Sequence, residues 1–189
     1  MGNTIVNQDG HQQNQKPDAG YMGQRWLVEE RDACGVGFIA DQKGGVSHRL
    51  IEQALTALTC LEHRGGCSAD YDSGDGAGIM TAIPWQLFQP WFTEQQLQPP
   101  VKERTGVGMV FLPAQSEAAT IARQVIEQVI QEEGLTVLGW RVVPVKPELL
   151  GIQARENQPQ IEQIFIHSEQ AAGDELERLL YLARKRILR

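Results

Sequence analysis

Cysteine is scarce in this sequence. There are three, at positions 34, 60 and 67. So small and odd a count makes no disulfide framework and points to a reducing compartment. Cys60 and Cys67 stand seven apart, which is not the C-x-x-C spacing of a zinc site. None of the four histidines, at 11, 48, 63 and 167, pairs with a cysteine or carboxylate at metal-ligand spacing. Basic residues are also in deficit: 17 Lys and Arg against 24 Asp and Glu give a net charge of −7 and a pI near 5.1. That balance argues against a nucleic-acid or membrane-surface partner. No apolar run reaches the ~18–20 residues a membrane-spanning helix needs. The first 24 residues hold no secretory h-region and one basic residue, so neither a signal nor a transit peptide is expected. The start, "MGNTIV", fails the myristoylation pattern because its sixth residue is Val. There are no internal repeats.

What is present reads as one α/β unit behind a polar leader. The 189 residues, 41% apolar and 22% charged, are enough for one well-filled core. Residues 1–24 are rich in Asn, Gln, Gly and Asp and are expected to be disordered. From Cys34 the pattern changes. "CGVGFIA" (34–40), "GIMTAI" (78–83, ended by Pro84), "TGVGMVFL" (105–112), "LTVLGWRVVPV" (135–145) and "IEQIFIHS" (161–168) read as strands. Leu50, Ile51, Ala54, Leu55, Leu58 and Leu61 keep helical spacing, so "SHRLIEQALTALTCLEH" (47–63) reads as an amphipathic helix with Ser47 as N-cap. His48 falls in its first turn. His63 falls at its end, where a cation suits the helix dipole. Ser116 to Gly134 reads as a second helix, and a third is expected to be capped by Asp174 and to run on to Arg189. That last helix stops without punctuation, as an interrupted sequence would, and as a frayed terminal helix also would.

Three motifs invite chemistry. Gly35-Val-Gly37-Phe-Ile-Ala40 matches the dinucleotide fingerprint G-x-G-x-x-G/A, but it neither follows a buried strand nor opens a helix. Asp70, Asp72 and Asp75 in "SADYDSGDGAG" (68–78) suggest a calcium loop. Counted from Asp70, however, position six is Asp75 rather than Gly and position twelve is Thr81 rather than Glu. A glycine-permitted tight loop, or a loop carrying function on a rigid scaffold, fits better. Cys34 is the third. On residue chemistry alone a lone cysteine is most often a small packed apolar group, and no histidine stands at a recognisable spacing to act as its base. A cut between Ala33 and Cys34 would remove that objection. The freed α-amino group, with a pKa near ~7.7–8.0, would sit on the nucleophile itself and could act as base and acid. Residues 1–33 would then be a propeptide.

"CGVGFIA", a helix, and then "LEHRGGCSADYDSGDGAGIMTAIP" together resemble the N-terminal glutaminase domain of the glutamate synthases, within the class II glutamine amidotransferases. That superfamily opens with Cys-Gly, then Ile or Val, any residue and Gly, and carries a His-Arg-Gly or Tyr-Arg-Gly motif after the first helix. The long aspartate-rich loop is the glutamate synthase version. "GVGMVFLP", "LGWRVVPV" and "NQPQIEQIFI" are also similar, so the resemblance spans 34–189. It implies the α+β, four-layer αββα sandwich of N-terminal-nucleophile hydrolases, incomplete in this chain. Residues 1–33 would be the leader and 34–189 the first part of the amidotransferase domain. It implies that Cys34 attacks the glutamine amide and releases ammonia, which would be channelled to a second site and there added to 2-oxoglutarate and reduced to glutamate. It assigns Arg64 a supporting place near the nucleophile, with Asp72 and Asp75 helping to order the same loop. FMN and a 3Fe-4S cluster are implied for the full-length enzyme, with ferredoxin or an NADPH-linked subunit as electron source. Neither cofactor is expected on this chain. The implied location is cytoplasmic, or the plastid stroma in a photosynthetic eukaryote.

The sequence also departs from the family. An Asn-Gly oxyanion motif, the downstream arginine segment that grips the substrate carboxylate, an FMN barrel and an iron–sulfur cysteine cluster are all missing. An oxyanion donor is worth ~2.7–4 kcal/mol. The chain is therefore expected to be a fragment of a longer protein and inactive alone. Two alternatives stay open: a non-catalytic interaction module, and another amidotransferase such as an asparagine or glucosamine-phosphate synthase. The long aspartate-rich loop argues against the latter.

Overall fold

The computed structural model describes residues 35–61, 65, 66, 68–74 and 76–188. Cys34, His63, Arg64, Cys67 and Asp75 lie outside them, as does the whole leader. The elements in chain order are α1 (His48–Cys60), α2 (Trp85–Glu94), β1 (Thr105–Leu112), α3 (Ser116–Glu132), β2 (Thr136–Val142), α4 (Ile152–Glu156), β3 (Gln160–His167) and α5 (Asp174–Ile187). The architecture is α+β, around a three-stranded sheet of order β1-β3-β2 in which both outer strands run antiparallel to β3.

Period-two alternation divides the sheet into two faces. On one face Val110, Leu112, Val137, Trp140, Ile164 and Ile166 meet α3 and α5 through Ala119, Ile126, Ile130, Leu176 and Ala183. Gly106 leaves room there for α5: a Cβ at that position would lie 2.5 Å from Leu180 Cδ1, so the leucine would have to shift. The opposite face carries Val107, Leu138 and Phe165, and α2 covers it with Phe88, Trp91 and Phe92. A bulge between Val137 and Gly139 sets Leu138 against this second cluster.

Helix ends follow local chemistry. Ser47 is the N-cap of α1, and its hydroxyl accepts the Arg49 N–H at 3.1 Å. α3 ends where Gly134 takes φ +75°. The Gly134 N–H donates to Gln131 O and the Leu135 N–H to Ile130 O, which satisfies two terminal carbonyls and folds Leu135 into the core. The N-cap of α5 is Gly173, at φ +57°, and not Asp174. Asp174 instead sits within the first turn beside Glu175 and Glu177, with Arg184, Lys185 and Arg186 in the last turn, both favourable to the dipole.

Two strand expectations are corrected. Gly35–Ala40 and Gly78–Ile83 form no strand; Val36, Phe38 and Met80 are almost fully exposed. Apolar content does not by itself make a strand: N–H and C=O groups must pair with a neighbouring edge, and among the described residues the sheet pairs β1, β2 and β3 alone. α1 has the expected apolar stripe but no buried residue, and Cys60 at its end is exposed. α2 was not expected at all. Pro90 within "WQLFQPWFTE" reads as a helix breaker, yet the helix forms because it buries Phe88 and Phe92.

Phe165 is fully buried and touches three rings: Phe88 and Phe92 edge-on at centroid distances of 5.1 and 4.9 Å, and Trp91 stacked at 4.9 Å. Truncating it removes ring contacts from the centre of α2's attachment. Phe165→Ala is expected to cost about 3–5 kcal/mol. Urea unfolding followed by tryptophan fluorescence measures this, and a loss under 1 kcal/mol would show that α2 is held elsewhere.

Candidate functional site

Of the loop motif residues, the described ones fall in the stretch from 65 to 78. Its described centre, 68–74, is a tight polar turn. The Ser68 N–H donates to Ser73 O at 2.7 Å and the Tyr71 N–H to Ser68 O at 3.0 Å, with Tyr71 at φ +56°. The Asp70 carboxylate holds the turn together. Its Oδ1 accepts the backbone N–H groups of Ser73 (2.8 Å) and Asp72 (3.2 Å). Its Oδ2 accepts the Ser73 hydroxyl at 2.6 Å and the Gln153 N–H at 3.2 Å. Ser73 Oγ in turn accepts the Ala154 N–H at 3.0 Å, and the Ser68 hydroxyl donates to the Gln153 side-chain oxygen.

The partners on the far side belong to the connection between β2 and β3, some 80 residues along the chain. Gly151 makes that approach possible. A Cβ there would stand 2.4 Å from both Ser73 N and Ser73 Oγ, and 2.8 Å from the Asp72 carbonyl carbon. Ser73 is consequently buried, although the turn around it is largely exposed.

Of the residues singled out from sequence, Asp72 is described, and it is exposed; it contributes its backbone N–H to Asp70. Asp70 is the carboxylate at the centre of the turn. It had been weighed as a calcium ligand, but its oxygens are engaged by N–H and O–H donors. Among the described residues no group of three or more His, Cys, Asp or Glu side chains could hold a metal. His48 is the first residue of α1, and His167 lies at the end of β3 beside Thr105. Ser73, Gly151 and Gln153 carried no sequence signal beyond the Asp-x-x-Ser spacing of an Asx-type turn. Gly151 and Gln153 are too distant in sequence to be linked to it. Among the described residues, no helix is long and apolar enough to cross a membrane.

Residues 34–189 match the sequence profile of the glutamine amidotransferases class-II, and the match begins at Cys34. The chain belongs to that family. It is 61% identical over 165 residues to ferredoxin-dependent glutamate synthase 2 of Synechocystis sp., covering 87% of this chain and 11% of that protein. It is 51% identical over 164 residues to ferredoxin-dependent glutamate synthase 1, chloroplastic/mitochondrial, of Arabidopsis thaliana, covering 86% and 10%. A third relative is the ferredoxin-dependent glutamate synthase of Pyropia yezoensis, 52% identical over 161 residues, covering 85% and 10%. The chain thus spans about a tenth of the length of the curated relatives it matches.

The hydrogen bonds to Asp70, the Ser73 hydroxyl foremost, hold its carboxyl well below the ordinary carboxylate range. A depressed folded pKa stabilises the turn above the unfolded value, about 3.9, and that contribution is lost as pH falls through the folded value. The Ser73 and Gln153 amide signals are therefore expected to hold unchanged down to about pH 4 and to shift together only in more acid solution. NMR titration checks this; a common midpoint near 4 would show that the carboxylate is not held by these donors.

Proposed function

We propose that residues 34–189 are the glutaminase portion of a ferredoxin-dependent glutamate synthase. The observation that carries this reading is the family match beginning at Cys34, the residue that a cut after Ala33 would turn into a nucleophile carrying its own base. The names of the relatives support ferredoxin rather than an NADPH-linked subunit as the electron source.

The chemistry proposed for this chain is amide hydrolysis. Removal of residues 1–33 leaves Cys34 with a free α-amino group. That amine takes the thiol proton, and the thiolate adds to the γ-carbonyl carbon of L-glutamine. The tetrahedral intermediate collapses to a γ-glutamyl thioester. The amine's proton passes to the departing nitrogen, which leaves as ammonia. Water then attacks the thioester, glutamate leaves and the thiol is restored. Arg64, with Asp72 and Asp75, supports the loop beside this reaction. In the full-length enzyme the ammonia is channelled to 2-oxoglutarate for glutamate biosynthesis and nitrogen assimilation. FMN and a 3Fe-4S cluster, when bound, supply the reducing electrons of that second step. The described residues offer no cysteine cluster for the iron–sulfur group, and the thioester steps do not run through either cofactor. Plastid stroma is the proposed location in a photosynthetic eukaryote, in keeping with chloroplastic relatives, and cytoplasm otherwise.

The finer fold proposed is the four-layer αββα sandwich. Its support is the apolar surface the three-stranded sheet leaves open. Met109 and Phe111 are exposed on the α2 side of β1, and the apolar segments 35–40 and 78–83 lie exposed without strand partners. A second sheet that included those segments would bury both sets.

In the full-length protein, Cys34→Ala and Cys34→Ser are expected to abolish glutamine hydrolysis, while Cys60→Ser leaves it within about twofold, Cys60 being an exposed helix-end residue. Glutamate release from glutamine is the measurement, and persistence of hydrolysis in Cys34→Ala would sink the assignment. N-terminal sequencing of the active enzyme should likewise return Cys34 as the first residue. Active enzyme that retains Ala33 would rule out the α-amine as base.

A further inference from the structure

The turn at 68–74 is tied down unlike the chain around it. Residues 76–83 and 35–46 are exposed throughout. Asp70 and Ser73, in contrast, receive N–H groups from Gln153 and Ala154. Steric and polar requirements coincide at this contact. Gly151 must lack a side chain for Ser73 to approach, and Asp70 must present two oxygens to four donors. A chance surface contact would need neither.

We propose that Asp70 is a positioning residue for glutamine hydrolysis: with Gly151 it clasps the 68–74 turn onto the Gly151–Ala154 backbone, so that the β2–β3 connection sets the placement of the motif loop. The proposal rests on the glutaminase reading above. The clasp joins the family's motif loop to a segment that neither the motif nor residue chemistry marks as functional. The connection is itself anchored: α4 follows Gly151 directly and leads into β3, the central strand. A loop registered against β3 has its position fixed by the sheet rather than by its own glycines. Reacting groups are sensitive to placement on that scale, since a shift of about 1 Å can change a rate by about 10²-fold.

The test uses the full-length enzyme. An electrophilic glutamine analogue titrates the reactive Cys34 thiols, and glutamine hydrolysis is expressed per titrated thiol for wild type, Asp70→Asn, Gly151→Ala and the double variant. A change that merely unfolds part of the population lowers the number of titrated thiols and leaves turnover per thiol unchanged. Loss of positioning lowers turnover per thiol by about 10- to 100-fold, and the double variant is no worse than the more affected single one because both act on one contact. Should Gly151→Ala yield no folded protein, Ser73→Ala takes its place, removing only the hydroxyl shared by Asp70 and Ala154. Unchanged turnover per thiol in Asp70→Asn, or losses that multiply in the double variant, overturn the proposal while the glutaminase reading stands. A wild type that hydrolyses no glutamine overturns the glutaminase reading and the proposal with it.

Discussion

β3 is hydrogen-bonded along both edges, to β1 on one side and β2 on the other, and its residues face helices above and below. A strand in that position has no solvent face to spare. Ile164 and Ile166 fill one side and Phe165 the other, all buried. Glu162 shows how strict the constraint is. It falls on the α3 side of the strand and is buried, so its charge needs a partner. Arg123 on α3 provides two donors to it, with Nε at 2.9 Å from Oε2, and the pairing raises the Arg123 pKa further. The pair fixes the axial position of α3 on the sheet, which purely apolar contacts would leave freer to slide. Because a buried ion pair roughly offsets its own desolvation, its contribution is to register more than to net stability.

The helices follow from that strand. α3 is held at its C-terminal end as well: Trp140 Nε1 donates to Glu127 at 2.6 Å, and Arg186 of α5 reaches Glu132 and Glu133. The last ties are exposed and each is worth little. The burial of Ile126 and Ile130 beneath them does most of the work. On the other face, α2 tolerates Pro90 because three aromatic contacts to Phe165 outweigh one lost backbone hydrogen bond.

What was legible in the sequence is what local chemistry decides. β1, β2, β3, α3 and α5 announce themselves by periodicity, and the Ser47 cap and the Gly134 stop by residue type. The misreadings share a cause. "CGVGFIA" and "GIMTAI" have strand composition, but a strand is a relation between segments, and composition does not say whether a partner edge is at hand. α2 carries a weak local signal, Pro90 within it, and forms where burial of Phe88 and Phe92 supports it. The site divides in the same way. Motif spacing singles out Cys34 and the loop, and the proposed chemistry rests on them; Cys34 itself lies outside the described residues. Asp70 falls in a stretch that reads as a tight loop rather than a calcium site, but its partners could not be named, because donors that come from Gln153 cannot be inferred from a loop sequence. Gly151 was invisible: a glycine's role in permitting close approach is defined entirely by what approaches it.

The chemistry proposed for Cys34 divides its demands between the nucleophile and the loops. A nucleophile whose base is its own α-amine carries its proton transfer within one residue and needs little from its neighbours for that step. What it cannot supply is the placement of the substrate carbonyl and of the groups that stabilise developing charge, and loops must provide that. A glycine-rich loop is suited to close approach but is entropically free, so its own composition works against fixed placement. In the proposed clasp, the packing of Ser73 on Gly151 and the Asp70–Gln153 hydrogen bond lend the loop rigidity from the sheet. The ionised carboxylate gathers four donors into one turn, and the absent side chain at 151 lets that turn rest directly on backbone continuous with β3. The glycines at 74, 76 and 78 can then remain permissive without leaving the loop unplaced.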